Sequence, residues 1–189
     1  MKFAVDLHIH SALSPCGDED MTPNNIVNMA LLKGLDMIAV TDHNSAANLP
    51  AVLEVGKKQG LMIVPGIEVQ TKEEVHIICL FRTLQSALKL DEIIYNCLPD
   101  IPNNEEVFRR QLIMNSEDQI VGKVDKLLIS SCALSVNDVF ILANGLGGVC
   151  IPAHVDRPAY SITANLGFIP PSLKVKTVEL SKKDSPEII

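Results

Sequence analysis

Apolar residues fall in short continuous blocks along this chain of 189 residues, separated by stretches with helical spacing. Phe3 to Leu7, Leu35 to Val40, Leu61 to Val64 (resuming through Gly66-Ile-Glu-Val69), Glu74 to Phe81, Gly148 to Ile151 and Val175 to Leu180 have the length and composition of strands. Thr22-Pro23 opens a helix, because Thr is a good N-cap and Pro is preorganised for the first helical position. Ile26, Val27, Ala30 and Leu31 give that helix an apolar face, and Gly34 supplies its stop. A second helix is predicted over Ala47 to Lys58, stopped by Gly60, and a third over Ser86 to Leu98. A fourth spans Ser135 to Asn144, opened by a capping-box pattern of Ser135 and Asp138 and ended by Gly145. Pro99 to Asn104 is a break, and the mixed segment Glu105 to Leu134 predicts no definite element.

Strands alternating with helices predict mostly parallel pairing with right-handed crossovers. In barrels built this way the chemistry gathers at the C-terminal ends of the strands. His8, His10, His43 and His154 lie at such ends, and His76 sits within a strand run, so all five histidines fall in or beside the apolar blocks. Histidine is the commonest metal ligand, and this placement points first to a multinuclear metal site.

Composition narrows the alternatives. The length suits one well-buried domain. With 4% aromatic residues and no Trp, the core is expected to be Ile, Leu, Val, Ala and Met. A net charge of -7 argues against a nucleic-acid groove, which needs a basic face. Five cysteines without a Cys-x-x-Cys pair, and no signal-peptide pattern behind Met1-Lys2, set a reducing cytoplasm as the expected location. No apolar run approaches the roughly 18 residues of a membrane span.

The candidate ligands carry competing readings. His8-Ile-His10 on a strand puts two imidazoles on one face, within reach of one cation, although His-x-His also occurs by chance. Asp6 could orient an imidazole or be a plain strand-end charge. His43, in Thr41-Asp-His-Asn44, fits a ligand or a turn. Glu68 lies inside Ile63-Val-Pro-Gly-Ile-Glu-Val69, where burial costs several kcal/mol unless the carboxylate is paired or metal-bound; an outward-facing edge position is the other reading. His76 fits a ligand or a satisfied core histidine. His154 closes an apolar strand, and Arg157 three residues on suits a bidentate phosphate clamp or a surface ion pair. The acidic run Asp18-Glu19-Asp20 reads as a solvated loop.

Taken in order, Asp6-Leu-His-Ile-His-Ser11, Ala39-Val-Thr-Asp-His-Asn44, Pro65-Gly-Ile-Glu-Val69, Val75-His76 and Ala153-His154 resemble the PHP family, the polymerase-and-histidinol-phosphatase domain of metal-dependent phosphoesterases. The resemblance implies an α/β fold, a distorted (β/α)7 TIM-like barrel, as a single domain over residues 1–189 with an insertion at about 82–134. It implies two or three divalent metal ions (Mn, Zn or Fe) held by His8, His10, Asp18, His43, Glu68, His76 and His154, with Glu68 bridging. Asp18 enters by counting five residues back from Pro23, across a loop lengthened by Pro15-Cys-Gly17. One departure stands out. The family's further Asp-x-His motif is absent after Val175–Leu180, and Asp184 lacks a histidine partner. The last strand is therefore expected to be missing, through truncation, supply by another subunit or loss of a metal, and a homo-oligomer is the expected cover for an open barrel edge.

The activity this implies is hydrolysis of a small phosphomonoester by a metal-activated water, with Arg157 as the catalytic phosphate clamp. The partner expected is a small phosphorylated substrate, with neither membrane nor nucleic acid. A non-catalytic metal-binding or interaction module is the alternative, and nuclease activity is a third reading, disfavoured by the acidic balance and few aromatics.

Overall fold

The computed structural model describes residues 2–181. In chain order its first elements are β1 (Val5–Ile9), α1 (Pro23–Leu32), β2 (Met37–Val40), α2 (Leu49–Gln59), β3 (Met62–Gln70), β4 (His76–Leu80) and α3 (Leu84–Cys97). They are followed by α4 (Glu105–Phe108), β5 (Leu112–Met114), β6 (Ile120–Lys123), α5 (Val136–Gly145), β7 (Val149–Pro152) and α6 (Ile162–Leu166).

Local chemistry accounts for most boundaries. The Thr22 hydroxyl accepts the Asn25 N–H at the head of α1, and Gly60 takes a left-handed φ of +78° to close α2. At α5 the capping box forms in full: the Ser135 N–H donates to Asp138 Oδ2 and the Asp138 N–H donates back to Ser135 Oγ.

Five strands form a curled, half-barrel sheet in the order β1-β2-β3-β4-β7, with β5 and β6 as a separate hairpin. The expected parallel pairing holds for β1, β2 and β3 and fails beyond them, because β3–β4 and β4–β7 are antiparallel. The reason is connection length. Residues 71–75 close a tight turn through Glu74 N–H to Thr71 O and Thr71 N–H to Val75 O, whereas a parallel return needs a crossover of a dozen or so residues. The third strand is also continuous rather than interrupted. Pro65 lies inside β3 and gives its carbonyl to the Phe81 N–H. Beside it, a Cβ on Gly66 would come within 2.6 Å of Thr41 Cγ2, so the missing side chain is what lets β3 turn from β2 to β4.

Val175 to Leu180 forms no strand, contrary to expectation. It runs extended beside the end of β7, joined by Glu179 N–H to Pro152 O and Val155 N–H to Glu179 O. Pro152 has no N–H with which to continue that ladder. Asp184 and the segment expected to lack the Asp-x-His motif lie outside the described residues.

Helices α1, α2, α3 and α5 back the sheet and enclose an aliphatic core that includes Val27, Ile38, Val52, Ile67, Ile77 and Leu90, all with 0% exposure. The β5–β6 hairpin joins this body through the fully buried Asn48, whose amide donates to Leu112 O and accepts the Met114 N–H. No described helix is long and apolar enough to cross a membrane.

Candidate metal centre

The histidines meet on one carboxylate. Glu68 is 1% exposed, and its two oxygens face all five imidazoles. Oε1 lies 3.1 Å from His8 Nε2, 3.0 Å from His76 Nδ1 and 3.4 Å from His154 Nε2. Oε2 lies 3.0 Å from both His10 Nε2 and His43 Nδ1.

Each group reaches this point because a strand delivers it. Period-two geometry turns His8 and His10 to the same side at the end of β1, with their Nε2 atoms 3.2 Å apart. His43 follows β2 in a loop that clips onto β3: Glu68 N–H donates to Asp42 O, and Asn44 N–H donates to Glu68 O. His76 opens β4 directly opposite Gln70, and its Nε2 is 3.2 Å from Gln70 Oε1. His154 follows β7 at a φ of +32°, outside the usual range for a side-chain-bearing residue. Its N–H is held at 2.8 Å by Glu179 Oε2.

The carboxylate that holds this strained backbone also holds a ligand candidate. Glu179 Oε1 lies 2.9 Å from His8 Nδ1, which leaves Nε2 facing Glu68. Such carboxylate–imidazole pairs fix ring orientation and raise ligand basicity. Asp42 does similar work in the loop after β1, accepting from the Ser11 N–H, the Ser11 hydroxyl and the Ser14 hydroxyl while 2% exposed.

Asp18 is not brought to this cluster. Its carboxylate is exposed and pairs with Arg109 at 3.0 Å. The same loop instead presents Cys16, whose Sγ is 2.9 Å from His10 Nδ1. Arg157 lines the mouth of the cavity, with no side-chain hydrogen bond or ion pair to the other described residues. Tyr160 stacks on His76 with ring centroids 5.0 Å apart. The cavity has a volume of about 430 Å³ and is lined by the five histidines, Glu68, Glu179, Asp6, Cys16 and Arg157.

Sequence reasoning missed Glu179 and Cys16. Glu179 carried a weaker signal than Glu68, a carboxylate between Val178 and Leu180 in a segment that also holds Lys174, Lys176 and Thr177. Cys16 carried none.

The electrostatics are those of an anion wrapped in imidazoles. Burial would raise the Glu68 pKa, but the neighbouring His10, His154, His43 and His76 outweigh it and hold the carboxyl well below its usual range. Burial opposes a proton on His8, yet Glu179 and Glu68 raise its pKa to about 9. His10 goes to about 10 against the same burial, through Cys16 and Glu68. Burial would raise the Cys16 thiol, and His10 and His43 bring it down to about 6. His76 goes the other way, because burial dominates and lowers it.

The donor set fits divalent cations. Although 3.0 Å apart, Glu68 Oε2 and His43 Nδ1 lack hydrogen-bond geometry, and both are buried without a hydrogen-bond partner, as is His154 Nδ1. Buried polar atoms are normally satisfied. Of these atoms, Glu68 Oε2 and His43 Nδ1 face each other, as two ligands of one ion do. Two ligands each about 2.1 Å from a tetrahedral ion lie about 3.4 Å apart, close to the His8–His10 spacing. Three groups have ligand atoms all within 4.8 Å of one another: His8, His10 and Glu68; His43, Glu68 and His76; and His10, Cys16 and His43.

A curled half-barrel sheet that converges on a histidine–carboxylate centre is the arrangement of a PHP-type domain. The PHP domain model matches residues 6–158, and the chain belongs to the PHP family. Among curated proteins, it is 35% identical over 80 residues to the phosphoribosyl 1,2-cyclic phosphate 1,2-diphosphodiesterase of Eggerthella lenta, covering 40% of this chain and 29% of that protein. Among solved structures, endonuclease Q of Pyrococcus furiosus superposes with a TM-score of 0.66 at 22% identity, over 95% of this chain and 42% of that one. A Bifidobacterium adolescentis protein assigned as a metal-dependent phosphoesterase gives 0.61 at 18% identity, over 92% and 73%. The chain thus spans under a third of the length of the Eggerthella protein.

Proposed function

We propose that this chain hydrolyses a small phosphomonoester at a multinuclear divalent-metal centre. The observation that carries the reading is Glu68, a buried carboxylate within 3.4 Å of a nitrogen from each of the five histidines. His8, His10, His43, His76 and His154 would hold the ions, with Glu68 between them. Cations bound there supply Lewis-acid charge neutralisation and a more acidic water.

The chain's own residues do the rest. Glu179 keeps His8 in one tautomer and orientation. Arg157, at the mouth, takes two phosphate oxygens in its planar fork and sets the ester facing inward. Tyr160, stacked on His76, forms an aromatic wall beside the cavity. Clustered cations at the base and one guanidinium at the rim suit a compact dianion. Relatives named as a cyclic-phosphate diphosphodiesterase and an exoribonuclease motivate including diesters in any test.

Purified protein loaded with Mn²⁺, Zn²⁺ or Fe²⁺ should be assayed against phosphomonoesters, phosphodiesters and short oligonucleotides. Monoester turnover is expected to exceed diester turnover and to fall at least about 100-fold in Glu68→Gln. Undiminished turnover in Glu68→Gln rejects the centre, and faster diester cleavage rejects the monoester assignment.

A further inference from the structure

We infer that Cys16 is a thiolate ligand, completing with His10 and His43 a site for a borderline-soft divalent cation such as zinc or ferrous iron. This rests on reading the cavity as a metal centre, and deepens it by assigning a ligand and a metal class. One nitrogen from each imidazole and Cys16 Sγ all lie within 4.8 Å of one another. Zinc–sulfur and zinc–nitrogen bonds of about 2.3 and 2.0 Å at a tetrahedral angle span about 3.5 Å, so small side-chain adjustments close the site.

A second observation points to a ligand. His43 is 7% exposed, and its Nδ1 has no hydrogen-bond partner. A nitrogen so enclosed is costly unless something accepts its lone pair.

The loop delivers no competing anion. Asp18 is turned outward to Arg109, and Glu19 pairs with Arg110. The thiol is presented by a tight turn in which Ser14 N–H donates to Ser11 O and Gly17 N–H to Ser14 O. A Cβ on Gly17 would lie 2.2 Å from Ser11 O, so the turn admits only glycine there. Thiolate is a soft donor that selects zinc and iron, whereas an oxygen ligand would suit magnesium and manganese.

Cobalt(II) substitution tests the assignment without reference to turnover. The full chain, stripped of metal and reloaded with Co²⁺, is expected to show a near-ultraviolet sulfur-to-cobalt charge-transfer band. Cys16 is exposed, and the other cysteines (Cys79, Cys97, Cys132 and Cys150) are buried or half-buried, so the band reports this thiol. Cys16→Ser should lose the band. Cys16→Ala should bind one equivalent fewer, and Cys16→Asp should restore the equivalent without the band. Iodoacetamide should alkylate Cys16 more slowly in the loaded protein. Bound cobalt with no band in the wild-type protein overturns thiolate ligation and leaves the metal centre standing. A wild-type protein that binds no cobalt overturns both.

Discussion

At the residue scale, protons and cations compete for the same nitrogens. His8 and His10 titrate near 9 and 10 in the metal-free fold, above the ordinary 6.5, so near pH 7 both are protonated. Their contribution to stability is full below the unfolded value and is lost as pH rises through 9 and 10. Metal binding has the opposite sign, since a coordinating imidazole must be neutral. Affinity should therefore rise with pH up to that range, and uptake near pH 7 should expel protons from His8 and His10. Calorimetric titration in two buffers of different ionisation heat reads the proton count. Proton release should shrink as pH approaches 10, and binding heats independent of buffer near pH 7 would reject the competition.

At the element scale, the loop after β1 is shaped from below by Asp42. This buried carboxylate accepts three hydrogen bonds, from the Ser11 N–H, Ser11 Oγ and Ser14 Oγ, and Ser14 Oγ accepts the His43 N–H in turn. It thereby ties the His10–Cys16 segment to the loop that carries His43. Asp42→Ala leaves those donors without their acceptor. Hydrogen bonds to a charged acceptor contribute about 1.5–3 kcal/mol each, and their loss is partly offset by relaxation, so a destabilisation of about 3 kcal/mol is expected in urea unfolding. A loss below about 1 kcal/mol would mean that water replaces the carboxylate and that the loop holds its shape by other contacts.

At the scale of the whole molecule, the centre is where the sheet converges. β1, β3, β4, the loops after β2 and β7, and the extended segment carrying Glu179 each place at least one group there. The proposed ligands run from His8 to His154, so a bound ion joins distant parts of the chain, and the His8–Glu179 hydrogen bond extends that tie across 171 residues. A ligand that binds only the folded state adds about 2.7 kcal/mol at a hundred times its Kd. For a protein this size that corresponds to a rise in Tm of about 6–10 °C. Thermal unfolding with saturating Zn²⁺ or Mn²⁺, against a chelated control, should show that rise. An unchanged Tm would mean that the site does not close on metal.

The sequence by itself determined the local elements and the residues capable of the chemistry. Caps at Thr22 and Ser135, the stop at Gly60 and the period-two placement of His8 and His10 all follow from short-range sterics and hydrogen bonding, which neighbouring residues decide. The conspicuous burial of Glu68 was legible because a carboxylate inside an aliphatic run has few stable solutions. Tertiary structure alone decided the rest. The turn at residues 71–75 reverses β4 against β3, and β7 arrives through residues 81–148 to pair antiparallel with that reversed strand. The failure of residues 175–180 to form a strand follows from Pro152 at the end of the neighbouring β7. Asp18 and Cys16 are two residues apart, yet one faces solvent and Arg109 while the other faces His10. Which side of a tight loop meets the cavity depends on what anchors it, and here the anchor is Asp42, 31 residues from Ser11.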